Sequence, residues 1–311
     1  VSGAPGETLA ASWAAYGAPL AALAPVPAEA IQVSPLTPGA TPMEALGEAS
    51  LDRVTVQAPA GALERTYVLA QALRVLKPGG VLTALAPKTL GGSRLRGELE
   101  ALGCPVAETA RRHHRICVAR APGEADAIAE AIVAGGPRAL SPGGLWTWPG
   151  VFSWDRLDPG TALLIETLPA LAGRGADFGC GLGLLARAVL AQEAVTALDL
   201  IDLDARAVAM SRRNVADPRA RIVQADLRDP DAAPGGLDFV VMNPPFHLAG
   251  HEDRGLGEAF VAAAARALRP GGLCLLVANL TLPYERALEP AFRRWRTLAR
   301  RDGFKVLEAV K

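Results

Sequence analysis

No sign of charge dominates this sequence. Lysine and arginine together number 32 among 311 residues, and so do aspartate and glutamate. That balance excludes a general nucleic-acid coat, which needs a cationic surface overall; a local basic patch stays open. Cysteine is scarce. Cys104, Cys117, Cys180 and Cys274 form no Cys-x-x-Cys pair, and none has a histidine at zinc spacing. Four thiols in so long a chain do not make a disulfide scaffold. Buried thiols, a reducing cytoplasm and no metal are expected. No apolar run approaches the roughly 18–20 residues a membrane helix needs, and no charged-then-apolar leader opens the chain. It begins at Val1, so further sequence is expected ahead of it.

What is present is a globular composition, half apolar and 21% charged. The length suits two compact units. A repeat supports that division. Leu-Asp-Arg-Val-Thr-Val-Gln-Ala-Pro-Ala from Leu51 matches Leu-Asp-Phe-Val-Val-Met-Asn-Pro-Pro-Phe from Leu237. Each run continues through a helical stretch to Pro-Gly-Gly and an apolar strand, six residues later in the second copy. Gln57-Ala58-Pro59-Ala60 therefore stands where the second copy has Asn243-Pro244-Pro245-Phe246. Only 50 residues precede the first Leu-Asp pair, barely enough for a nucleotide-binding half, and they hold no strand-linked glycine loop. The expected organisation is a degenerate domain over 1–119, a linker over 120–150 with a short helix at about 124–134, and a working domain over 151–311.

The second domain alternates strand and helix. Strands are expected at Ala176–Phe178, Val195–Ile201, Arg221–Gln224, Leu237–Met242 and Leu273–Ala278. Helices are expected at Leu184–Leu190, Ala205–Asn214 and Glu258–Leu268, the last stopped by Pro270-Gly271-Gly272. Arg296–Arg300 and Lys305–Val310 flank Asp302-Gly303, a hairpin turn pair. The fold class is α/β: two Rossmann-like domains in tandem, each a mostly parallel twisted sheet, ending in an antiparallel hairpin.

Four segments carry chemistry. The first is Asp177-Phe178-Gly179-Cys180-Gly181-Leu182-Gly183, whose glycines let backbone N–H groups approach a ligand. Asp177 repels a pyrophosphate and suits an ammonium or hydroxyl group. The second is Asp202-Leu203, ending the next strand, where a carboxylate can accept two ribose hydroxyls. Its alternative is a helix cap, a role Asp204 fits better. The third is Asp226-Leu227, able to border an adenine and hold its amino group, or else a solvated turn. The fourth is Asn243-Pro244-Pro245-Phe246. Two prolines cannot continue a central ladder, so the chain turns out over the carboxyl edge. There the Asn243 side chain and the Pro244 carbonyl are two acceptors for an exocyclic amino group, and Phe246 is a ring to stack on a base. Trp146, Trp148, Phe152 and Trp154 read as packing, or as a wall of the site.

Together these segments resemble the class I S-adenosylmethionine-dependent methyltransferases. Pro149-Gly150-Val151-Phe152-Ser153, Leu157-Asp158-Pro159-Gly160-Thr161, Asn243 to His247, Ala278-Asn279-Leu280-Thr281-Leu282-Pro283-Tyr284, the closing Phe304-Lys305-Val306, and Lys88 with Gly91-Gly92 and Arg94 are similar to the small-subunit (16S) ribosomal RNA guanine-N2-methyltransferases. That family has tandem methyltransferase-like domains with only the second catalytic. The resemblance implies S-adenosylmethionine as cofactor. Its methionine half would lie on Asp177, Gly179, Cys180, Gly181 and Gly183, its ribose on Asp202 beside Leu203, its adenine on Asp226 and Leu227. It implies ribosomal RNA, or the small subunit, as partner, and a monomer. The same hook serves large-subunit guanines, adenine amines in DNA and glutamine amides in proteins; a non-catalytic RNA-binding module is a further alternative. Arg94, Arg96, Arg111–Arg115, Arg286, Arg293, Arg294, Arg296, Arg300, Arg301 and Lys305 are candidate phosphate contacts, or simply a solvated face.

Overall fold

A computed structural model describes residues 12–123, 126–141, 144–245, 247–248, 251–252 and 254–311. The chain divides into two compact units between Gly136 and Pro137. The first contains β1 (Trp13–Tyr16), β2 (Ile31–Gln32), β3 (Leu51–Gln57), α1 (Ala62–Val75), β4 (Leu76–Pro87), α2 (Leu95–Ala101), β5 (Val106–Arg111), β6 (His114–Arg120) and α3 (Asp126–Gly135). Its sheet order is β2-β1-β3-β4-β6-β5. The first four strands are parallel, and β6 and β5 add an antiparallel hairpin.

The second unit opens with β7 (Arg138–Ala139) and β8 (Trp146–Thr147), a short antiparallel pair, then α4 (Pro159–Thr167). There follow β9 (Gly173–Phe178), α5 (Leu184–Leu190), β10 (Val195–Asp202), α6 (Ala205–Asn214), β11 (Ala220–Gln224) and β12 (Leu237–Met242). A small hairpin of β13 (His247–Leu248) and β14 (His251–Glu252) precedes α7 (Arg254–Ala267), β15 (Leu268–Asn279), α8 (Glu285–Ala291), β16 (Arg294–Arg301) and β17 (Phe304–Val310). The large sheet runs β11-β10-β9-β12-β15-β17-β16. Its central strands are apolar on both faces, as helix-covered parallel strands must be. Along β12, Val240 and Met242 enter one core cluster while Phe239 and Val241 enter the other.

The repeat is reproduced in three dimensions. Leu51 faces Leu76 and Arg53 faces Val81; Leu237 faces Leu268 and Phe239 faces Leu273. Both ladders skip the same number of residues, so Pro-Gly-Gly forms a bulge inside β4 and β15. It does not end the second helix ahead of a separate strand, as the sequence suggested. The bulge needs glycine for steric reasons. A Cβ at Gly80 would lie 2.8 Å from the Lys77 carbonyl, and one at Gly272 would lie 2.9 Å from that of Arg269. The register carries Gln57 onto Asn243. Sheet order carries β1 and β2 onto β9 and β10, while β11 has no counterpart among the described residues.

The expected linker over 120–150 is shared between the units. α3 packs on α1, with Gly135 against Tyr67. The segment after Pro137 belongs to the second unit, where the Trp146 backbone exchanges two 2.8 Å hydrogen bonds with the Asn214 side chain at the end of α6.

Candidate active site

The glycine loop leaves β9 at Phe178 and enters α5 at Leu184. Gly179, Gly181 and Gly183 all have positive φ (73°, 53° and 79°), which an L side chain takes at a cost. Gly183 is also a packing glycine, since a Cβ there would sit 2.7 Å from Val215 Cγ2. Asp202 fixes the loop: its Oδ2 accepts from Gly181 N–H at 2.8 Å and its Oδ1 from Asp204 N–H at 2.9 Å. Asp204 is the cap of α6, accepting from Arg206 N–H at 2.9 Å. Burial pushes the Asp202 carboxyl up to about 6, against those backbone donors.

A cleft opens in front of the loop. Asp177, Gly179, Cys180, Gly181, Leu182 and Asn243 line it, together with Phe152, Ser153, Asp158 and Thr161. Asp177 is 1% exposed, and its Oδ2 has no hydrogen-bond partner. Burial, and then the charge of Asp202, push its carboxyl up to about 8. A buried, unpaired carboxylate oxygen on a cleft wall suits a cationic group. Burial also holds the Cys180 thiol well above the usual thiol range, so it is a neutral wall and not a nucleophile.

Asn243 follows β12 at the sheet's carboxyl edge. Its Nδ2 donates to Asp158 Oδ2 and to Thr161 Oγ1, each at 2.9 Å. Asp158 caps α4 through Thr161 N–H at 2.7 Å and also accepts from the Thr161 hydroxyl at 3.2 Å. A carboxylate only accepts, so the amide nitrogen must face it and Oδ1 must face away. The clamp therefore spends both amide hydrogens, and among the described residues the Oδ1 carbonyl accepts no hydrogen bond. Pro244 is buried and Pro245 half-buried, and the chain then enters the β13–β14 hairpin. Phe246 lies outside the described residues, as does the His247 side chain.

Known proteins place this geometry. The pattern of the Methyltransferase small domain family matches residues 143–308. The ribosomal RNA small subunit methyltransferase C of Pseudomonas paraeruginosa is 39% identical over 249 residues, 78% of this chain and 74% of that one. The chain belongs to that methyltransferase family. The corresponding protein of Stutzerimonas stutzeri is 36% identical over 259 residues, covering 80% of this chain and 76% of its own. Among solved structures, the T. thermophilus 16S rRNA N2 G1207 methyltransferase (RsmC) in complex with AdoMet and guanosine superposes with a TM-score of 0.74. It is 29% identical and covers 88% of this chain and 76% of that one.

The expected residues fall into three groups. Asp177, Gly179, Cys180, Gly181 and Asn243 share the cleft. Asp202, Gly183 and Leu203 are not among the lining residues: Asp202 braces the loop through Gly181, and the Leu203 carbonyl accepts from Gln224 Nε2 at 3.0 Å. Asp226 and Leu227 are engaged elsewhere. Arg228 grips Asp226 at 2.6–3.0 Å and holds its carboxyl below the usual range, while Leu227 is buried in the core. Sequence reading assigned no role to Asp158 or Thr161; their signal was the Asp-Pro-x-Thr cap before an apolar helix. Of the aromatics, Trp146 packs on α6 under Arg213, Trp154 lies under Arg138, and only Phe152, 58% exposed, reaches the cleft.

Several candidate phosphate contacts are already paired. Lys305 is buried against Glu285 at 2.6 Å, Arg296 binds Glu308, Arg301 binds Glu166, Arg96 binds Glu100 and Arg115 binds Glu108. Among the described residues, no group of His, Cys, Asp or Glu could hold a metal, and no helix is long and apolar enough to cross a membrane.

Proposed function

We propose that this protein methylates the exocyclic 2-amino group of a guanine in small-subunit ribosomal RNA, using S-adenosylmethionine. The observation that carries the reading is the clamped amide of Asn243, which lines the same cleft as the Asp177 carboxyl with its unpartnered Oδ2. The residues present fit the cofactor. Asp177 meets its cationic charge, Gly179 and Gly181 admit it against backbone, and Asp202 holds the loop and can receive ribose hydroxyls on its remaining lone pairs. Asp226, gripped by Arg228, and Leu227, buried in the core, offer the adenine no free group.

When bound, S-adenosylmethionine supplies a methyl group on a cationic sulfur and leaves as a neutral thioether. The protein's work is placement. The Asn243 Oδ1 and the Pro244 carbonyl accept the two amine hydrogens, which turns the nitrogen lone pair toward the cleft. Positive charge grows on that nitrogen as the new bond forms, and both fixed acceptors lower its cost. The methylated amine then loses a proton to water, so no strong base is needed. A guanine stacked in a helix cannot reach this recessed edge, so it enters flipped out, with Phe246 as its stacking surface.

The test is labelled methyl transfer to small subunits and their RNA, with large-subunit RNA, duplex DNA and a release factor as competitors. Label appearing as N2-methylguanine in small-subunit RNA is expected. Label in a competitor, with small-subunit RNA inert, overturns the substrate assignment.

A further inference from the structure

The two units carry the same hairpin at the same place, with opposite chemistry at its tip. In the second unit Arg301 pairs with Phe304, and the two-residue turn is Asp302-Gly303, at φ 52° and 84°. In the first, Arg111 pairs with His114, and the turn is Arg112-His113, at φ 49° and 61°. Both tips sit at the carboxyl edge of their sheets, since β17 begins opposite Asn279, the end of β15, and β6 begins opposite Pro87, the end of β4. Both are tied to the strand end by an equivalent bond: Leu280 N–H to the Gly303 carbonyl at 2.9 Å, and Lys88 N–H to the His113 carbonyl at 2.8 Å.

Turns with positive φ at both central residues favour Asn-Gly and Asp-Gly. Asp302-Gly303 follows that rule. Arg112-His113 breaks it twice, with two long side chains held in a left-handed conformation and exposed. The second unit shows that this fold does not require such residues there. The turn is well built, with His114 Nδ1 within hydrogen-bond distance (2.8 Å) of the Arg112 carbonyl. Strain kept at an exposed tip points to a role for the side chains it displays.

Charge points the same way. Where the second unit has Leu280, Arg301 and Asp302, the first has Lys88, Arg111 and Arg112. Arg301 is neutralised by Glu166 and Asp302. Lys88, Arg111 and Arg112 have no carboxylate partner among the described residues, and all three are exposed. The nearest ion pair, Arg115 with Glu108, lies back along the hairpin.

We propose that the tip formed by Arg112 and His113, with Lys88 and Arg111 beside it, is a docking surface for the phosphate backbone of the substrate RNA. It rests on the ribosomal RNA reading above. A cluster of exposed cations on a hydrogen-bonded hairpin matches successive backbone phosphates, and such contacts position RNA without reading sequence.

Two variants of the full chain test it. R112N/H113G installs the favoured turn, and K88A leaves the turn untouched. The double variant is expected to melt at a higher temperature than the parent, with KM for small-subunit RNA raised about five- to tenfold and kcat unchanged. The slope of log affinity against log salt should be shallower by about 1. K88A should raise KM about threefold at an unchanged melting temperature. If the parent methylates RNA and both variants keep its KM and salt slope, the docking surface is overturned and the functional reading stands. If the parent binds RNA through the tip and methylates none of it, the functional reading fails and the docking surface stands. If R112N/H113G melts lower and binds worse, K88A decides: an unchanged KM overturns the proposal, a raised KM supports it.

Discussion

The first and second units share a strand order and a Pro-Gly-Gly bulge, and differ where a ligand would sit. In the second, β9 runs into a glycine loop and α5. In the first, β1 runs through Gly17 into turns, with no helix before β2. At the strand end where Asn243 presents a clamped amide, the first unit has Gln57, whose Oε1 is buried without a hydrogen bond. The following loop is plugged. Arg65, 1% exposed, donates to the Pro59 and Ala60 carbonyls at 3.1 and 2.7 Å and grips both oxygens of Glu98. α1 and α7 are equally long and each ends one residue before its strand, so Arg65 corresponds to Gly257. Arg65 fills the one edge, whereas at Gly257 a Cβ would collide with the Tyr284 hydroxyl, so no side chain can leave the helix there. Packing preserves strands and bulges whatever a domain does, whereas a site needs a loop, a helix and an unpaired acceptor together. A duplicated fold can lose the second set and keep the first.

The largest effect is expected in the plugged unit. Arg65→Ala would strand Glu98 and two carbonyls and should cost about 3–5 kcal/mol of stability, read as a loss of denaturation midpoint with little change in kcat for the folded fraction. A large loss of turnover from the folded fraction would show that the first edge takes part in catalysis. Next is the clamp. Asp158→Ala removes the α4 cap, about 1 kcal/mol of stability, and frees the Asn243 amide to rotate, so kcat should fall by about 10²-fold with cofactor affinity kept. Thr161→Val should lower kcat about fivefold, the worth of one hydrogen bond.

A third comparison uses pH. Asp177 holds its proton up to about 8 in the free protein, and a cationic ligand favours its ionised form. S-adenosylmethionine affinity should therefore weaken as pH falls below 8, by up to about tenfold per unit, with proton release in calorimetry. Asp177→Asn should flatten that profile and weaken binding. The raised value also means the folded chain retains a proton that the unfolded chain gives up. Asp177 thus erodes stability as pH rises from the ordinary carboxylate range toward 8. The Asn variant should gain melting temperature at pH 8 and little at pH 5; equal gains at both would contradict the assignment.

The period-two and helical patterns made most of the second unit legible. Expected strands such as Val195–Ile201 and Leu237–Met242 match β10 and β12 within a residue, and the repeat placed Gln57 opposite Asn243 before any sheet register was known. Part of what escaped depended on distance along the chain. The contacts of Asn243 with Asp158 and Thr161 span 85 and 82 residues, and no local pattern announces them. β1 and β2 are too short to show a period. The Pro-Gly-Gly segments read as helix stops because a bulge inside a strand has the same local signature. For Asp226 the sequence leaves an adenine contact or a solvated turn open, since neither residue type nor spacing shows that Arg228, two residues on, folds back on it.

One measurement bears most directly on the claim that a single carboxyl edge does the chemistry. Methyl transfer to small-subunit RNA is followed for Asn243→Ala and for Gln57→Ala, the same position in the two units. A fall in kcat of about 10²–10³-fold is expected for Asn243→Ala, and a parental rate for Gln57→Ala. Equal losses in the two variants, or an undiminished rate in Asn243→Ala, would contradict that claim.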